Sequence, residues 1–175
     1  MMSEENPKRK PNRLIGFDYS QPGAYFVTIC ANQRSCIFSR ISVGAIHESP
    51  AIELTAIGRL VEKTIRELPD RYGIHVDRSV IMPNHVHLLV RWDAPAGERA
   101  LREAPLQETK RSLLAQCIGY LKADVSKKIH KTEPNLKVWQ GRFYDHVIRS
   151  DADYSKHFDY IVDNPVMWVE NRHEI

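Results

Sequence analysis

The stretch MPNHVHLLV, residues 82–90, sets two imidazoles two positions apart, at His85 and His87. Successive side chains of a strand alternate between faces, so these two share one. They stand about 6.6 Å apart along the chain, close enough to converge on a single ion. Val86, Leu88 and Val90 point the other way, into an apolar layer that makes the strand a rigid platform. Two imidazoles leave a metal under-coordinated, and an oxygen donor as third ligand shifts the preference towards magnesium or manganese. An HxH pair names no reaction by itself, since strand histidines also make ordinary hydrogen bonds. A histidine-triad nucleotide hydrolase is excluded, because its third histidine would fall at Leu89.

Further along, His157, Tyr160 and Asn164 follow one another at steps of three and four, which puts them on one helix face. Phe158, Ile161 and Val162 take an adjoining face and read as core. A helical aromatic is usually packing, yet a phenol is also a credible nucleophile for phosphorus. Its ordinary pKa near 10 means that it needs help to ionise, from a metal or a cation. Attack on phosphorus makes a covalent ester that keeps the bond energy for rejoining.

The surrounding pattern supplies the elements that must hold these groups. Gly23 precedes AYFVTICA (24–31), in which Tyr25, Val27 and Ile29 alternate with Phe26, Thr28 and Cys30; this predicts a strand. Residues 39–53 predict a loop or a short hairpin. Apolar steps of three and four from Leu54 to Leu68 predict an amphipathic helix closed by Pro69. Strands are expected over 74–81 and 85–92, joined by the short link MPN, and a mobile loop over 93–106. A long amphipathic helix is expected from Leu106 to Ile129, and a strand in the second half of 138–149. A last helix should run from Asp151, capped by Ser150, to Asn164, with Pro165 barring continuation. The order βαββαβα predicts an α+β fold: a split βαβ, ferredoxin-like antiparallel sheet backed by helices on one face, with an additional C-terminal helix carrying the tyrosine.

Bulk properties narrow the class. The 175 residues suit one domain, here expected at 14–175 behind a flexible basic arm at 1–13. An apolar fraction of 42% and a charged fraction of 27% are ordinary for a globular protein. No run approaches the ~18 apolar residues of a membrane span, and the polar N-terminus lacks a secretion signal. Cys30, Cys36 and Cys117 show no paired spacing, so neither a thiolate zinc site nor a disulfide framework is indicated, and a reduced, cytoplasmic setting is expected. The net charge of +3 is only mildly basic, but Lys8, Arg9, Lys10 and Arg13 crowd the N-terminus. A second group holds Lys110, Arg111, Lys122, Lys127 and Lys128. Nucleic acid would account for both groups; so would a solubilising arm and a solvated helix face.

MPNHVH, then WQGRFYDHVIR (139–149), then YIVDNP (160–165), in that order, resembles the single-tyrosine HUH transposases. The likeness is greatest to the branch associated with repetitive extragenic palindromes (REP) in bacteria, and it runs from about Tyr25 to Trp168. The resemblance implies that His85 and His87 bind Mg²⁺ or Mn²⁺, that Asn164 completes the site, and that Tyr160 is the nucleophile. Related transposases often carry Gln in place of Asn164. The activity implied is cutting and joining of single-stranded DNA beside a hairpin, through a 5′-phosphotyrosine, at the bacterial nucleoid. No zinc and no nucleotide cofactor is implied. Tyr144 and Tyr154 are rival nucleophiles by type, ranked lower because neither has an oxygen donor one helical turn later. The two basic groups and Arg142 are the expected DNA contacts, and the chain is expected as monomer or homodimer. The alternatives are a catalytically idle, domesticated DNA-binding protein and a metal phosphodiesterase of small molecules.

Overall fold

The computed structural model describes residues 19, 21–43, 50–93 and 111–170. Four strands form the main sheet: β1 (Gly23–Cys30), β4 (His75–Ile81), β5 (His85–Trp92) and β6 (Tyr144–Ile148). Their order is β4-β5-β1-β6, and every pairing is antiparallel. β2 (Ser39–Ser42) and β3 (Ala51–Leu54) pair as a separate hairpin, inserted between β1 and α1 (Ala56–Tyr72). α2 (Leu113–Ile129) links β5 to β6, and α3 (Asp151–Glu170) follows β6. With the hairpin set aside, this is the expected split βαβ arrangement with its added C-terminal helix.

Pleating sends one set of side chains to each face of the sheet. Tyr25, Val27, Ile29, Val86, Leu88 and Val90 are buried against Val61, Ile65 and Leu68 of α1 and Leu114, Ile118, Leu121 and Val125 of α2. The opposite face carries Phe26, Thr28, His85, His87 and Leu89. α3 covers it through Phe158, Ile161 and Trp168, beside Val80, Met82 and the hairpin's Ile41 and Ile52. Helices therefore lie on both faces, not on one. The physical reason is visible in β5, which is buried along nearly its whole length and needs cover on each side.

Both prolines expected to end a helix lie inside one. α1 continues past Pro69 to Tyr72 and stops at Gly73, whose left-handed φ of 65° lets its N–H bond to the Pro69 carbonyl. Its start is fixed by Thr55, whose hydroxyl oxygen accepts from the Gly58 N–H. α3 passes Pro165 and reaches Glu170. An interior proline costs about 3 kcal/mol; here the turn beyond it carries Trp168, which packs with Ile161 and against His85. Packing outweighs local propensity at that point. α2 begins at Leu113, capped by Ser112, so residues 111 and 112 are not helical as expected. The rest of the expected start at 106–110, most of the loop at 93–106, Lys110 and the arm with Lys8, Arg9, Lys10 and Arg13 lie outside the described residues.

Candidate active site

His85 opens β5 directly after the link at 82–84, which is tightened by a Met82 N–H bond to the His85 carbonyl. His87 follows on the same face, as alternation requires, and both rings meet the covering helix α3. They are 8% and 4% exposed, with ring centroids 4.5 Å apart at 69°. Asn164, 6% exposed on α3, sets its Oδ1 3.3 Å from His85 Nε2. On the other side of that ring, His85 Nδ1 is 2.7 Å from Asn84 Oδ1. His87 Nδ1 lies 2.9 Å from the Thr28 hydroxyl. The remaining nitrogen, His87 Nε2, is buried and has no hydrogen-bond partner among the described residues.

A neutral imidazole carries one N–H. His85 meets an oxygen acceptor at each nitrogen. Burial pushes its pKa down to about 4, against a raising effect of Asn164 and a lowering one of Arg34, so the ring is neutral at neutral pH. Burial, joined by the neighbouring His85, takes His87 to about 3. With Nδ1–H given to Asn84, His85 Nε2 and Asn164 Oδ1 face each other lone pair to lone pair. Moving the ring proton to Nε2, turning the Asn164 amide to present its NH₂, or a cation between the two atoms would each relieve that contact. His87 Nε2, buried and without a hydrogen-bond partner among the described residues, offers a further lone pair to a cation. Two neutral imidazoles and an amide oxygen suit a divalent ion, so these residues fit the metal that the sequence implied.

Tyr160 stands at the rim, 39% exposed, its ring 5.3 Å from His87 and 5.8 Å from Phe26 in edge-on contact. One chain thus brings His85, His87, Asn164 and Tyr160 together. The rivals differ. The Tyr154 hydroxyl donates to Asp77 Oδ2 at 2.9 Å, and burial followed by that bond raises its pKa, which makes it harder to ionise. Tyr144 is 48% exposed and pairs with Thr28, which in turn pairs with His87. The three occupy one cross-strand row, and Tyr144 lies two strands, about 10 Å, from His87. Position therefore favours Tyr160 over it.

Sequence reasoning missed several neighbours. Thr28 and Asn84 orient the two imidazoles, Phe26 stacks on His87 at 5.0 Å, and Trp168 lies 5.9 Å from His85. Thr28 was legible in principle, as the polar residue on the non-core face of β1. Arg34 ends a short 3-10 turn (Asn32–Arg34) with φ at 55°, next to Gln33 at 52°. Its positive charge lowers the pKa of both histidines, yet nothing in its local sequence marks it. Among the expected DNA contacts, Arg111, Lys127 and Arg142 are exposed. Lys122 and Lys128 are engaged by the protein, with the Gln140 and Gly141 carbonyls and with Asp124 respectively. α2, which carries Lys122, Lys127 and Lys128, covers the face of the sheet opposite the histidines.

No family model matches the chain. An uncharacterized protein of Haemophilus influenzae is 27% identical over 173 residues, covering 94% of this chain and 92% of that protein. A REP-associated tyrosine transposase of Escherichia coli is 32% identical over 120 residues, covering 67% of this chain and 61% of the relative. Among solved structures, a REP-associated tyrosine transposase bound to a REP hairpin aligns with a TM-score of 0.50 at 21% identity, covering 83% of this chain and 68% of that one. That last likeness is one of fold. No helix among the described residues is long and apolar enough to cross a membrane. The ordered motifs and the sequence likeness point the same way: the chain is similar in sequence to a REP-associated tyrosine transposase, and its fold is like that of a solved one.

Proposed function

We propose that this protein is a transposase that cuts and rejoins single-stranded DNA beside a hairpin, with Tyr160 as nucleophile and Mg²⁺ or Mn²⁺ as cofactor. The observation that carries the reading is the buried, neutral histidine pair with the orphaned Nε2 of His87, closed by Asn164 and met at its rim by Tyr160. His85, His87 and Asn164 would hold the ion, which when bound supplies Lewis-acid polarisation of a phosphate oxygen. The phenolic oxygen of Tyr160 forms a bond to phosphorus while the bond from phosphorus to the 3′ oxygen breaks. A 5′-phosphotyrosine and a free 3′-OH result: the phenolic proton leaves to the solvent that the ring already meets, and the departing 3′ oxygen takes up a proton from that solvent. Thr28 and Asn84 hold the imidazoles in orientation, and α3 fixes the tyrosine relative to them.

The hairpin partner is taken from the relative whose structure contains one. Arg34, Arg111 and Arg142 would meet DNA phosphates, as would the arm with Lys8, Arg9, Lys10 and Arg13. The test is incubation with labelled, hairpin-flanked single-stranded DNA and Mn²⁺, read on a denaturing gel. A protein–DNA adduct is expected from the wild type and from Tyr144→Phe, and its loss, by at least ~10³-fold, from Tyr160→Phe. An adduct that survives Tyr160→Phe and disappears in Tyr144→Phe would move the nucleophile to β6. Cleavage with no adduct in any variant points to a hydrolase, and binding without cleavage to an idle DNA-binding protein.

A further inference from the structure

A second group of donors lies outside that pocket. His146 on β6 and Asp153 and His157 on α3 each place a ligand atom within 4.8 Å of the other two. His146 Nε2 is 2.9 Å from Asp153 Oδ2, and His157 Nδ1 is 3.2 Å from Asp153 Oδ1. The two rings stack at 4.6 Å and 21°. We propose that His146, Asp153 and His157 form a second, separate site for a divalent transition-metal ion of the zinc type, clamping the start of α3 to β6.

Three observations support it. First, the donors are near the spacing of an ion site: zinc bonds of about 2.0–2.2 Å set neighbouring ligand atoms roughly 3.3–3.5 Å apart, and each histidine lies within a few tenths of an ångström of that distance from one carboxylate oxygen of Asp153. Second, the donors come from rigid elements. Asp153 and His157 are one helical turn apart, and the Asp153 carboxylate is further fixed by the Arg149 N–H at 3.2 Å, while Ser150 Oγ accepts from the Asp153 N–H. Third, the donor set is selective. Two imidazoles with one carboxylate suit zinc and its neighbours better than magnesium, and the partial exposure of His146 leaves room for water at a fourth position. Two features oppose it: the near-parallel stack must open for both rings to aim an in-plane lone pair at one ion, and His157 Nδ1 also lies 2.8 Å from the Asp153 carbonyl, so that an ion on that nitrogen must displace its proton. Losing that hydrogen bond is a small cost beside three coordinate bonds.

The location gives the site a use. Tyr160 lies three residues beyond His157, and the Phe26 ring sits against His157, His87 and Tyr160 at 4.7, 5.0 and 5.8 Å. An ion here holds the helix that presents Tyr160 and Asn164, whichever reaction the histidine pair performs, so the proposal stands without the transposase reading.

The experiment uses the full chain without an affinity tag, equilibrated with Zn²⁺ or Co²⁺ and analysed for bound metal and for Co²⁺ visible absorption. The His85→Leu/His87→Leu variant is expected to keep one equivalent, and adding His146→Gln to weaken that binding at least tenfold and remove the Co²⁺ bands. In the otherwise intact chain, His146→Gln should lower the bound total by one equivalent, and circular dichroism confirms that each variant is folded. A double leucine variant that binds no ion, or one whose ion survives His146→Gln, overturns the proposal.

Discussion

The two faces of the four-stranded sheet use the same strands differently. On the side of α1 and α2, β1 and β5 contribute Tyr25, Val27, Ile29, Val86, Leu88 and Val90, all at most 1% exposed and all apolar. On the side of α3 the intervening positions are Phe26, Thr28, His85, His87 and Leu89, with polar side chains at Thr28 and at the two buried histidines. Alternation with period two lets one strand serve both sides. The first face is stabilised by transfer of hydrocarbon from water, about 1.5–3 kcal/mol for each large side chain. The second encloses two imidazoles, one with a ring nitrogen that has no hydrogen-bond partner among the described residues, an arrangement that costs stability. What separates them is thus the use of burial: cohesion on one side, desolvated imidazoles on the other.

Neighbouring substitutions on β5 should break that comparison most sharply. Leu88→Ala removes a fully buried side chain from the first face and is expected to cost about 3 kcal/mol, a fall in Tm of roughly 6–12 °C. His87→Leu on the second face replaces an unpartnered ring nitrogen by hydrocarbon at the loss of the Thr28 contact. Its expected effect on Tm without metal is within about 3 °C, while DNA cleavage is abolished. Thermal unfolding in EDTA measures both. Equal losses from the two variants would mean that the α3 face is held together by its histidines and not at their expense.

A smaller and pH-dependent effect sharpens the same contrast. His85 and His87 titrate at about 4 and about 3 in the folded protein, below the value near 6.5 of an unfolded chain. Between those limits the unfolded state binds more protons, so their contribution is complete above about pH 6.5 and is lost as the pH falls towards 4 and then 3. Urea midpoints of the metal-free protein should therefore drop more steeply from pH 7 to 4 than those of His85→Leu/His87→Leu. Parallel curves for the two proteins would remove burial as the cause of the depressed values.

How much of this was legible in sequence follows from the range over which each signal acts. The histidine pair and its apolar counterparts are set by alternation within one strand, and Tyr160 with Asn164 by one helical turn, so both patterns were readable locally. Their meeting across 79 residues, from His85 to Asn164, came from the family likeness and not from spacing. Pro69 and Pro165 misled because helix breaking is a local preference, and Gly73 and Trp168 act from outside the window. His146, Asp153 and His157 were invisible as a set, since a strand–helix corner brings them together and no spacing announces it. The lysines of α2 show the converse: their charge was plain, but Lys122 and Lys128 proved to be engaged within the protein, behind the sheet from the histidines.

Arg34 provides the finest test of the division between the faces, because it adds charge to the polar side without adding packing. It is exposed, its backbone is held at φ 55°, and its charge acts on both histidines. A left-handed non-glycine residue costs of order 1 kcal/mol, which is retained only where the surroundings or a function require it. Arg34→Gly should relieve that strain and raise stability by up to about 1 kcal/mol, whereas Arg34→Ala should leave it nearly unchanged. Both should lower kcat/KM for cleavage of single-stranded DNA by about tenfold, through loss of a phosphate contact beside the scissile bond. Both should also move the pH midpoint of the histidine contribution upward, since the guanidinium that disfavours a second positive charge is gone. Steady-state cleavage and urea unfolding across pH separate these effects. Unaltered cleavage together with the stability gain in Arg34→Gly would make the turn a plain structural irregularity, with no part in drawing DNA to the histidine face.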